Sequence, residues 1–250
     1  MDQLKSNVEW KEWGKHDPLW GVSSWAGKEK GGASPWTDEE FYALGESEWQ
    51  DFRAHWVKYG LQGRRCLEVG CGAGRLTRPL AGSFDSVFAV DVSEDMIRKA
   101  QSATSGLNVN FAAIDGMHLP QADSSVDAVF STHVLQHLDN ETIGLSYFQE
   151  FYRVLAPGGT LMVHIPLYQL PRGYGMVGKI LKSELAAYHA LAYFKANLSR
   201  RMGARIMRMT RYSIPSVRAA LTNLAFREIE FWEFNVRSNN DPHTFVFATR

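Results

Sequence analysis

The chain is poor in cysteine and has no long apolar run. Its two cysteines, Cys66 and Cys71, fall in a predicted strand and the loop after it, which favours neither a disulfide nor a metal site. No stretch of 18 apolar residues occurs, which argues against a membrane-spanning helix. The first residues, MDQLKSNVEWKEWGKHD, are polar and lack the apolar core of a signal peptide. We therefore expect a cytoplasmic protein without a bound metal.

The chain also lacks net charge. Its 27 lysines and arginines balance 27 aspartates and glutamates, so the molecule as a whole does not attract polyanions, and no nucleic-acid partner is expected. The apolar fraction of 45% and the charged fraction of 22% are ordinary for a globular protein. At 250 residues the composition predicts one large core with an added element.

Short apolar runs alternate with helical stretches between residues 64 and 165. This alternation is typical of βαβ units and predicts a parallel sheet. The strand candidates are RCLEV, SVFAV, NVNFAA, VDAVFS and TLMVHI. Helices are predicted over RLTRPLAG, over SEDMIRKAQSAT with Ser93 as N-cap, and over ETIGLSYFQEFYRVL. The last of these is predicted to end at the breaker formed by Pro157, Gly158 and Gly159.

The first 60 residues contain most of the eight tryptophans of the chain. Within them, TDEEFYALGESEWQDFRAHWVKYG predicts one or two helices that begin after the N-cap Thr37 and end at Gly60. The rest of this region contains several glycines and is predicted to be loop. We interpret the whole region as an arm that packs against the core.

The C-terminal residues REIEFWEFN and HTFVFATR predict two further strands joined by a short turn, so one of them runs antiparallel to the sheet. Roughly sixty residues separate the fifth and sixth strands, more than a crossover helix needs, and 176–200 has helical apolar spacing. The predicted organisation is an aromatic-rich arm over 1–60, a core over 61–165, an inserted helical cap over 166–212, and the end of the core sheet over 213–250.

The most informative string is LEVGCGAG, which lies between a predicted strand and a predicted helix. Its three glycines permit a tight turn and the close approach of a ligand. A dinucleotide fingerprint, GxGxxG, needs its third glycine at position 75, where this chain has Arg75. The spacing in this chain is GxGxG.

An acidic residue followed by GxGxG, here Glu68 to Gly74, resembles the first motif of the class I S-adenosylmethionine (SAM) dependent methyltransferases. The strings VDVSEDMI, AAIDGMHLP, VDAVFSTHVLQHL and RVLAPGGTLMV resemble the second to fifth motifs. The resemblance is greatest to the bacterial branch that methylates small molecules and includes ubiquinone-type methyltransferases. It implies an α/β, Rossmann-like, doubly wound seven-stranded sheet in the order 3-2-1-4-5-7-6. It also implies SAM as cofactor and S-adenosylhomocysteine (SAH) as product.

The resemblance also assigns residues to the cofactor. Glu68 is expected to bind the ammonium of the methionine moiety, Asp91 both ribose hydroxyls, and Asp115 the adenine amino group. Val92 and Met117 are expected against the adenine ring, although each suits ordinary core packing equally well. The predicted cofactor site is completed by Gly70, Gly72, Gly74, Arg75, Met96, Gly116 and His133.

Methyl transfer from a sulfonium is an in-line displacement that positioning alone promotes, so a base is optional. A hydroxyl acceptor would benefit from one, and histidine suits that role at neutral pH. His137 after strand four and His164 near the end of strand five are the catalytic candidates, and each also suits a structural role. The candidates for the acceptor pocket are Tyr168, Arg172 and Tyr174, in a segment that also fits a plain loop.

The sequence thus predicts a SAM-dependent methyltransferase that acts on a small organic acceptor, at a hydroxyl or carboxyl oxygen in preference to nitrogen or carbon. Three alternatives stay open: methylation of a lipid or larger acceptor, a nicotinamide (NAD) dependent oxidoreductase, and a SAM-binding protein without turnover. Both a monomer and a homodimer are compatible with the sequence.

The insertion carries a strong positive bias. No acidic residue occurs between Leu185 and Arg227, whereas eight basic residues do. We expect the insertion and the arm to cap the carboxyl edge of the sheet and to present arginines to an acidic acceptor. The competing interpretations are contact of 176–211 with anionic lipid and charge pairing with the acidic arm.

Overall fold

The computed structural model describes residues 4–168, 207, 209–238, 240 and 242–250. The predicted helix of the insertion lies outside the described residues, as do two acceptor-pocket candidates, Arg172 and Tyr174. Five of the eight basic residues also lie outside them: Lys195, Arg200, Arg201, Arg205 and Arg208.

A seven-stranded sheet in the order β3-β2-β1-β4-β5-β9-β8 forms the centre of the molecule. Strands β1 to β5 are mutually parallel, and β9 runs antiparallel to both of its neighbours, β5 and β8. This arrangement confirms the predicted order and the antiparallel last strand. A separate parallel pair is formed by β6 and β7. The strands are β1 (Arg65–Val69), β2 (Ser86–Asp91), β3 (Val109–Ala113), β4 (Val126–Ser131), β5 (Leu155–Ile165), β6 (Leu167–Tyr168), β7 (Tyr212–Ser213), β8 (Arg227–Asn235) and β9 (Pro242–Thr249).

Several helices begin where the neighbouring sequence supplies a cap. Thr37 and Glu40 form a reciprocal capping box at the start of α3, and Ser93 caps α5. None of the helices within the described residues combines the length and the hydropathy needed to cross a membrane. The helices are α1 (Lys5–His16), α2 (Pro18–Val22), α3 (Asp38–Trp56), α4 (Thr77–Ala81), α5 (Glu94–Ala103), α6 (Glu141–Val154) and α7 (Ile214–Asn223), with short 3₁₀ helices at Val57–Tyr59 and Leu135–His137.

Apolar side chains cover both faces of the sheet, as a parallel sheet between helices requires. On one face, strand residues such as Leu67 pack with α6 and α7. On the other, strand residues such as Phe130 pack with the aromatic side chains of α3. Trp56 is fully buried there and stacks on Phe130 with ring centroids 5.9 Å apart. Part of the tryptophan-rich arm is therefore a helix of the core.

The prediction that the first part of the arm is loop was wrong, because α1 and α2 are helices. Gly14 lies within α1, and a side chain there would lie 2.3 Å from Ser93 Oγ, so the glycine lets α1 pack closely on α5. The N-terminus of α1 is capped from far along the chain, since the Asp139 carboxylate accepts the backbone N–H groups of Lys5 (3.0 Å) and Ser6 (2.8 Å). These are tertiary contacts, which local sequence signals do not report.

The breaker predicted between α6 and β5 was also placed wrongly. Helix α6 ends at Val154 and β5 begins at the next residue, so the three breaker residues lie inside the strand. There Gly158 donates its N–H to the carbonyl of Arg250 (2.9 Å), and Arg250 donates back to Gly159 (2.9 Å). Pairing with the end of the chain keeps this segment extended.

Candidate functional site

A cavity lies at the carboxyl ends of β1, β2 and β4, where the sheet order changes direction between β1 and β4. Open α/β sheets bind ligands at such a point. The cavity is lined by the glycine loop after β1, by the ends of β2 and β3, by the loop after β4, by the arm and by the β8–β9 turn. The predicted cofactor residues that line it are Glu68, Gly70, Gly72, Arg75, Asp91, Val92, Gly116 and His133.

Two loop glycines are required by the close covering of the loop. Gly70 has φ +78°, and a Cβ there would lie 2.0 Å from Cγ2 of Val134. Gly72 has φ +52°, and a Cβ there would lie 2.5 Å from Cγ2 of Val22 in α2. The third glycine, Gly74, instead faces Ala100 of α5 and does not line the cavity. The first two glycines therefore shape the cavity, and the third permits close packing of the loop on α5.

Glu68 places a buried carboxyl group at the end of β1. Thr77 donates its hydroxyl to Oε2 over 2.6 Å. Burial raises the pKa of this carboxyl from 4.5 to about 8. The Thr77 hydrogen bond lowers the pKa, and the negative charge of Asp91 raises it further. A cation bound in the cavity would offset that desolvation and stabilise the ionised form.

Asp91 ends β2 and organises the neighbouring backbone. Its Oδ2 accepts the N–H of Gly72 and its Oδ1 accepts the N–H of Ser93, each over 2.9 Å. Burial raises the pKa of the carboxyl, and the backbone hydrogen bonds act in the opposite direction. Because a carboxylate has about four lone-pair sites, the group retains capacity for a ligand hydroxyl beside these backbone bonds.

Arg75 forms a buried ion pair beside the cavity with Glu48 of α3. Burial lowers the pKa of the guanidinium to about 10, and the positive charge of Arg237 acts in the same direction. Both partners and Arg237 line the cavity. Sequence reasoning missed Glu48, because its proximity to Arg75 depends on the packing of α3 on the glycine loop.

The predicted adenine-binding segment is only partly brought to the cavity. The Asp115 carboxylate accepts the N–H groups of Met117 (2.8 Å) and His118 (2.9 Å) and contacts His118 Nδ1 (2.7 Å). Neither Asp115 nor Met117 lines the cavity, whereas Gly116 does. Met96 is fully buried against the arm and likewise does not line it. The adenine roles of Asp115 and Met117 stay predictions.

The arm supplies a wall of the cavity at the carboxyl edge of the sheet, where the sequence predicted a cap formed by the arm and the insertion. Asn7 donates its amide Nδ2 to the Asp115 carbonyl over 2.6 Å, which ties α1 to the loop after β3. Trp10 contacts the ring of His137 edge to face at a centroid distance of 4.9 Å. The arm residues that line the cavity are Ser6, Asn7, Trp10, Gly21, Val22, Ser23, Ser24, Trp25 and Glu48.

The two predicted catalytic histidines differ in position. His137 is buried and lines the cavity, with its Nε2 2.9 Å from the amide nitrogen of Gln136. His164 is fully buried in β5 and does not line the cavity. Burial holds the pKa of His164 well below its usual range, as it does for His133. Tyr168 lies in β6, and its role in acceptor binding stays a prediction.

Sequence reasoning missed a third histidine, His243, at the start of β9. It lines the cavity, and its Nδ1 lies 2.7 Å from Nε2 of His164. Ring nitrogens of His133, His164 and His243 lie within 4.8 Å of one another, and imidazole is a common metal ligand. However, the His133 N–H donates to Nδ1 of His164 over 3.0 Å, so this group already forms a directed hydrogen-bond chain. The prediction that no metal is used stays a prediction.

The fold and this cavity define an α/β domain with a ligand site at the sheet edge, and known methyltransferases resemble it in sequence and in fold. A family model described as a methyltransferase domain matches residues 66–159. The chain is 32% identical over 105 residues to a ubiquinone biosynthesis O-methyltransferase of Sinorhizobium fredii, with 41% of each protein covered. It is 38% identical over 105 residues to a malonyl-[acyl-carrier protein] O-methyltransferase of Hahella chejuensis, with 41% of this chain and 37% of that protein covered.

Solved structures extend the likeness over the whole chain at the level of fold. The N-methyltransferase NodS of Bradyrhizobium japonicum WM9, in complex with SAH, aligns with a TM-score of 0.61 at 18% identity and covers 100% of this chain and 99% of its own. The magnesium protoporphyrin IX methyltransferase of Synechocystis PCC 6803, with bound SAM, aligns with a TM-score of 0.62 at 18% identity. This alignment covers 99% of this chain and 98% of that protein. Residues 66–159 therefore match a methyltransferase domain, and the solved structures support the corresponding fold over the length of the alignment. The alignments of the chain span less than half the length of the curated relatives named here.

Proposed function

We propose that the chain binds SAM in this cavity and transfers the methyl group to an oxygen of a small organic acceptor. The observation that carries the proposal is the meeting, at one sheet edge, of a buried carboxyl at Glu68, a glycine loop and the carboxylate of Asp91. These groups suit an amino acid with a positive charge on one side and a ribose on the other. When bound, SAM supplies an electrophilic methyl group on a sulfonium.

Different residues of the chain would bind different parts of SAM. Ionised Glu68 would bind the ammonium, and Asp91 would accept hydrogen bonds from ribose hydroxyls while holding the glycine loop in place. Val22 and Trp10 of the arm would cover the cavity and exclude water from the reacting centre.

The acceptor would enter from a second cavity that adjoins the first. The two share four wall residues, which are Glu48, His133, Val236 and Arg237. The second cavity has an aromatic side, where Trp232 stacks on His55 at a centroid distance of 3.5 Å. Such walls suit a planar acceptor whose polar end reaches the histidines. The oxygen preference is supported by the names of the curated relatives, which include O-methyltransferases.

Calorimetric titration of the purified protein with SAH and, separately, with NAD tests the cofactor assignment. We expect SAH to bind with one-to-one stoichiometry and NAD not to bind. NAD binding without SAH binding would refute the proposal and favour an oxidoreductase.

Turnover is tested by incubating the protein and radiolabelled SAM with a panel of phenols, carboxylates, alcohols and amines. Transfer of label to an oxygen acceptor is the expected result. SAH binding with no transfer to any acceptor class would favour a SAM-binding protein without turnover. Transfer only to amines would overturn the oxygen assignment.

A further inference from the structure

We propose that Asn7 of the arm recognises the adenine of SAM by accepting, at its side-chain Oδ1, a hydrogen bond from the exocyclic amino group of the base. The family resemblance gave this role to Asp115. The inference rests on the proposed function, because it concerns the same cofactor. It assigns recognition of the base to the arm, which precedes the motifs of the core in the sequence.

The position of the base follows from that of the ribose. Asp91 ends β2, and its carbonyl accepts the N–H of Ile114, just after β3, over 2.9 Å. On this side of Asp91 the cavity is lined by Val92, Ile114 and Gly116. Glu68 lies in β1, on the other side of β2. Because the base and the amino acid are attached at opposite ends of the ribose, a ligand held by Asp91 and Glu68 would place its base beside Gly116.

Asn7 lies against this part of the wall. Its residue is only 5% exposed and lines the cavity. A Cβ at Gly116 would lie 2.6 Å from the side-chain oxygen of Asn7 and 2.9 Å from its nitrogen. The glycine therefore leaves room for the amide of Asn7 at the place where the base is expected.

The orientation of this amide is set by a backbone carbonyl. A carbonyl can only accept a hydrogen bond, and that of Asp115 lies 2.6 Å from Nδ2 of Asn7. The nitrogen must therefore face the carbonyl, and Oδ1 is the atom left to accept a hydrogen bond from a ligand. An amino group on the base can donate to Oδ1, whereas a carbonyl oxygen at the same position of the base would be repelled.

The carboxylate of Asp115 has other partners. Its Oδ1 accepts the N–H groups of Met117 and His118, and its Oδ2 lies 2.7 Å from Nδ1 of His118. The side chain is 57% exposed, and the residue does not line the cavity. The carboxylate therefore holds the local turn, and the carbonyl of the same residue positions Asn7.

The same wall contains a second polar group of α1. The hydroxyl of Ser6 is buried in the lining of the cavity and has no hydrogen-bond partner among the described residues. A buried polar group without a partner costs free energy, so a ligand atom that supplies the partner gains affinity. A ring nitrogen of the base can accept a hydrogen bond from a hydroxyl. Helix α1 thus offers both an acceptor and a donor to a purine.

The base preference is measured by calorimetric titration with SAH and with S-inosylhomocysteine, in which a carbonyl oxygen replaces the exocyclic amino group. We expect SAH to bind about 10- to 100-fold more tightly, because the inosine analogue loses the hydrogen bond and turns a second acceptor toward Oδ1 of Asn7. The variant Asn7→Ala should bind SAH more weakly and bring the two dissociation constants to within about threefold of each other.

The variant Asn7→Asp separates recognition of the base from attachment of the arm. Aspartate keeps an oxygen acceptor but cannot donate to the Asp115 carbonyl. It should therefore retain a preference for SAH of about tenfold or more, although it loses the same contact with the loop after β3 as Asn7→Ala. If Asn7 only held α1 in place, both variants would weaken the two ligands equally and leave the preference unchanged, which would overturn the proposal.

The variant Asp115→Ala tests the rival assignment, because it removes the carboxylate and keeps the carbonyl. We expect it to retain the preference for SAH. Loss of the preference in Asp115→Ala, with the preference retained in Asn7→Ala, would assign the amino group to Asp115 and refute the role of Asn7. Equal affinity of the unsubstituted protein for the two ligands would also refute it and leave the proposed function intact. Failure of SAH to bind at all would refute the proposed function and this inference with it.

Discussion

Binding of SAH should release a proton from Glu68. The pKa of this carboxyl in the free protein is about 8, so about nine-tenths of the molecules carry the proton at pH 7. The ligand ammonium requires the ionised carboxylate. Binding at pH 7 should therefore release about 0.9 proton, provided that the carboxyl is fully ionised in the complex.

This linkage gives the affinity a defined pH dependence. The association constant should rise about ninefold from pH 6 to 7 and about fivefold from pH 7 to 8, because it follows the ionised fraction of a carboxyl with a pKa of about 8. Above about pH 8 the gain ends, because the carboxyl is then already ionised in the free protein. The affinity should therefore level off above about pH 8.

Calorimetry in buffers of different ionisation enthalpy measures the proton count directly. The variant Glu68→Gln should bind SAH more weakly and without proton release, and Asp91→Asn should bind more weakly with proton release retained. A flat affinity from pH 6 to 8 and no buffer dependence in the unsubstituted protein would refute the assignment of Glu68 to the ammonium.

The same carboxyl should weaken the free protein at neutral pH. Its folded-state pKa lies above the unfolded value of 4.5, so its contribution to stability is fully present below pH 4.5 and is lost as the pH rises to about 8. At pH 7 the free energy of unfolding should be lower by about 3 kcal/mol than with a group that stays neutral at this position. This figure comes from the 2.5 pH units between 4.5 and 7, at about 1.36 kcal/mol each. Glu68→Gln should therefore flatten the pH dependence of denaturant midpoints between pH 5 and 8. An unchanged pH dependence in the variant would contradict the raised pKa.

Three further substitutions test other parts of the site and fold. Asp91→Asn should weaken SAH binding by about 10- to 150-fold, the loss of charged hydrogen bonds to the ribose, and unchanged affinity would refute the ribose assignment. His137→Gln should lower kcat by about 10²- to 10⁴-fold with SAH affinity nearly intact if His137 is a base for a hydroxyl acceptor, and a near-normal kcat would indicate that positioning carries the step. Asp139→Ala removes the cap of α1 and should cost about 1 kcal/mol of stability. It should also raise the SAH dissociation rate in stopped-flow fluorescence, and an unchanged rate would mean that α1 does not retain the ligand.

The core of the fold could be predicted because its signals are local. Strand β1 alternates side chains between two buried faces within five residues, and Ser93 marks the start of α5 by its own side chain. The glycine spacing from Gly70 to Gly74 is also local, since all three glycines of the loop have positive φ angles, which favour glycine. The sheet order came from the family resemblance, and the structure confirmed it.

The functional site itself was only partly predictable. Glu68 and Asp91 could be predicted as neighbours, because they end adjacent parallel strands and such ends meet at one sheet edge. His243 could not, since it approaches His164 only through the antiparallel pairing of β9 with β5, across 79 positions of sequence. The register of that pairing depends on side chains packed from both sheet faces.

The sequence by itself determined the βαβ order, the glycine loop and the acidic residues at the strand ends, because each depends on the conformation of a few consecutive residues. Only the tertiary structure decided that the arm begins with a helix, that Asp139 caps it, and that His243 lies beside the buried His164. These features depend on groups separated by dozens of positions, whose contacts form only when the core is packed. Burial also set the raised pKa of Glu68, because desolvation is a property of the folded surroundings and not of the residue.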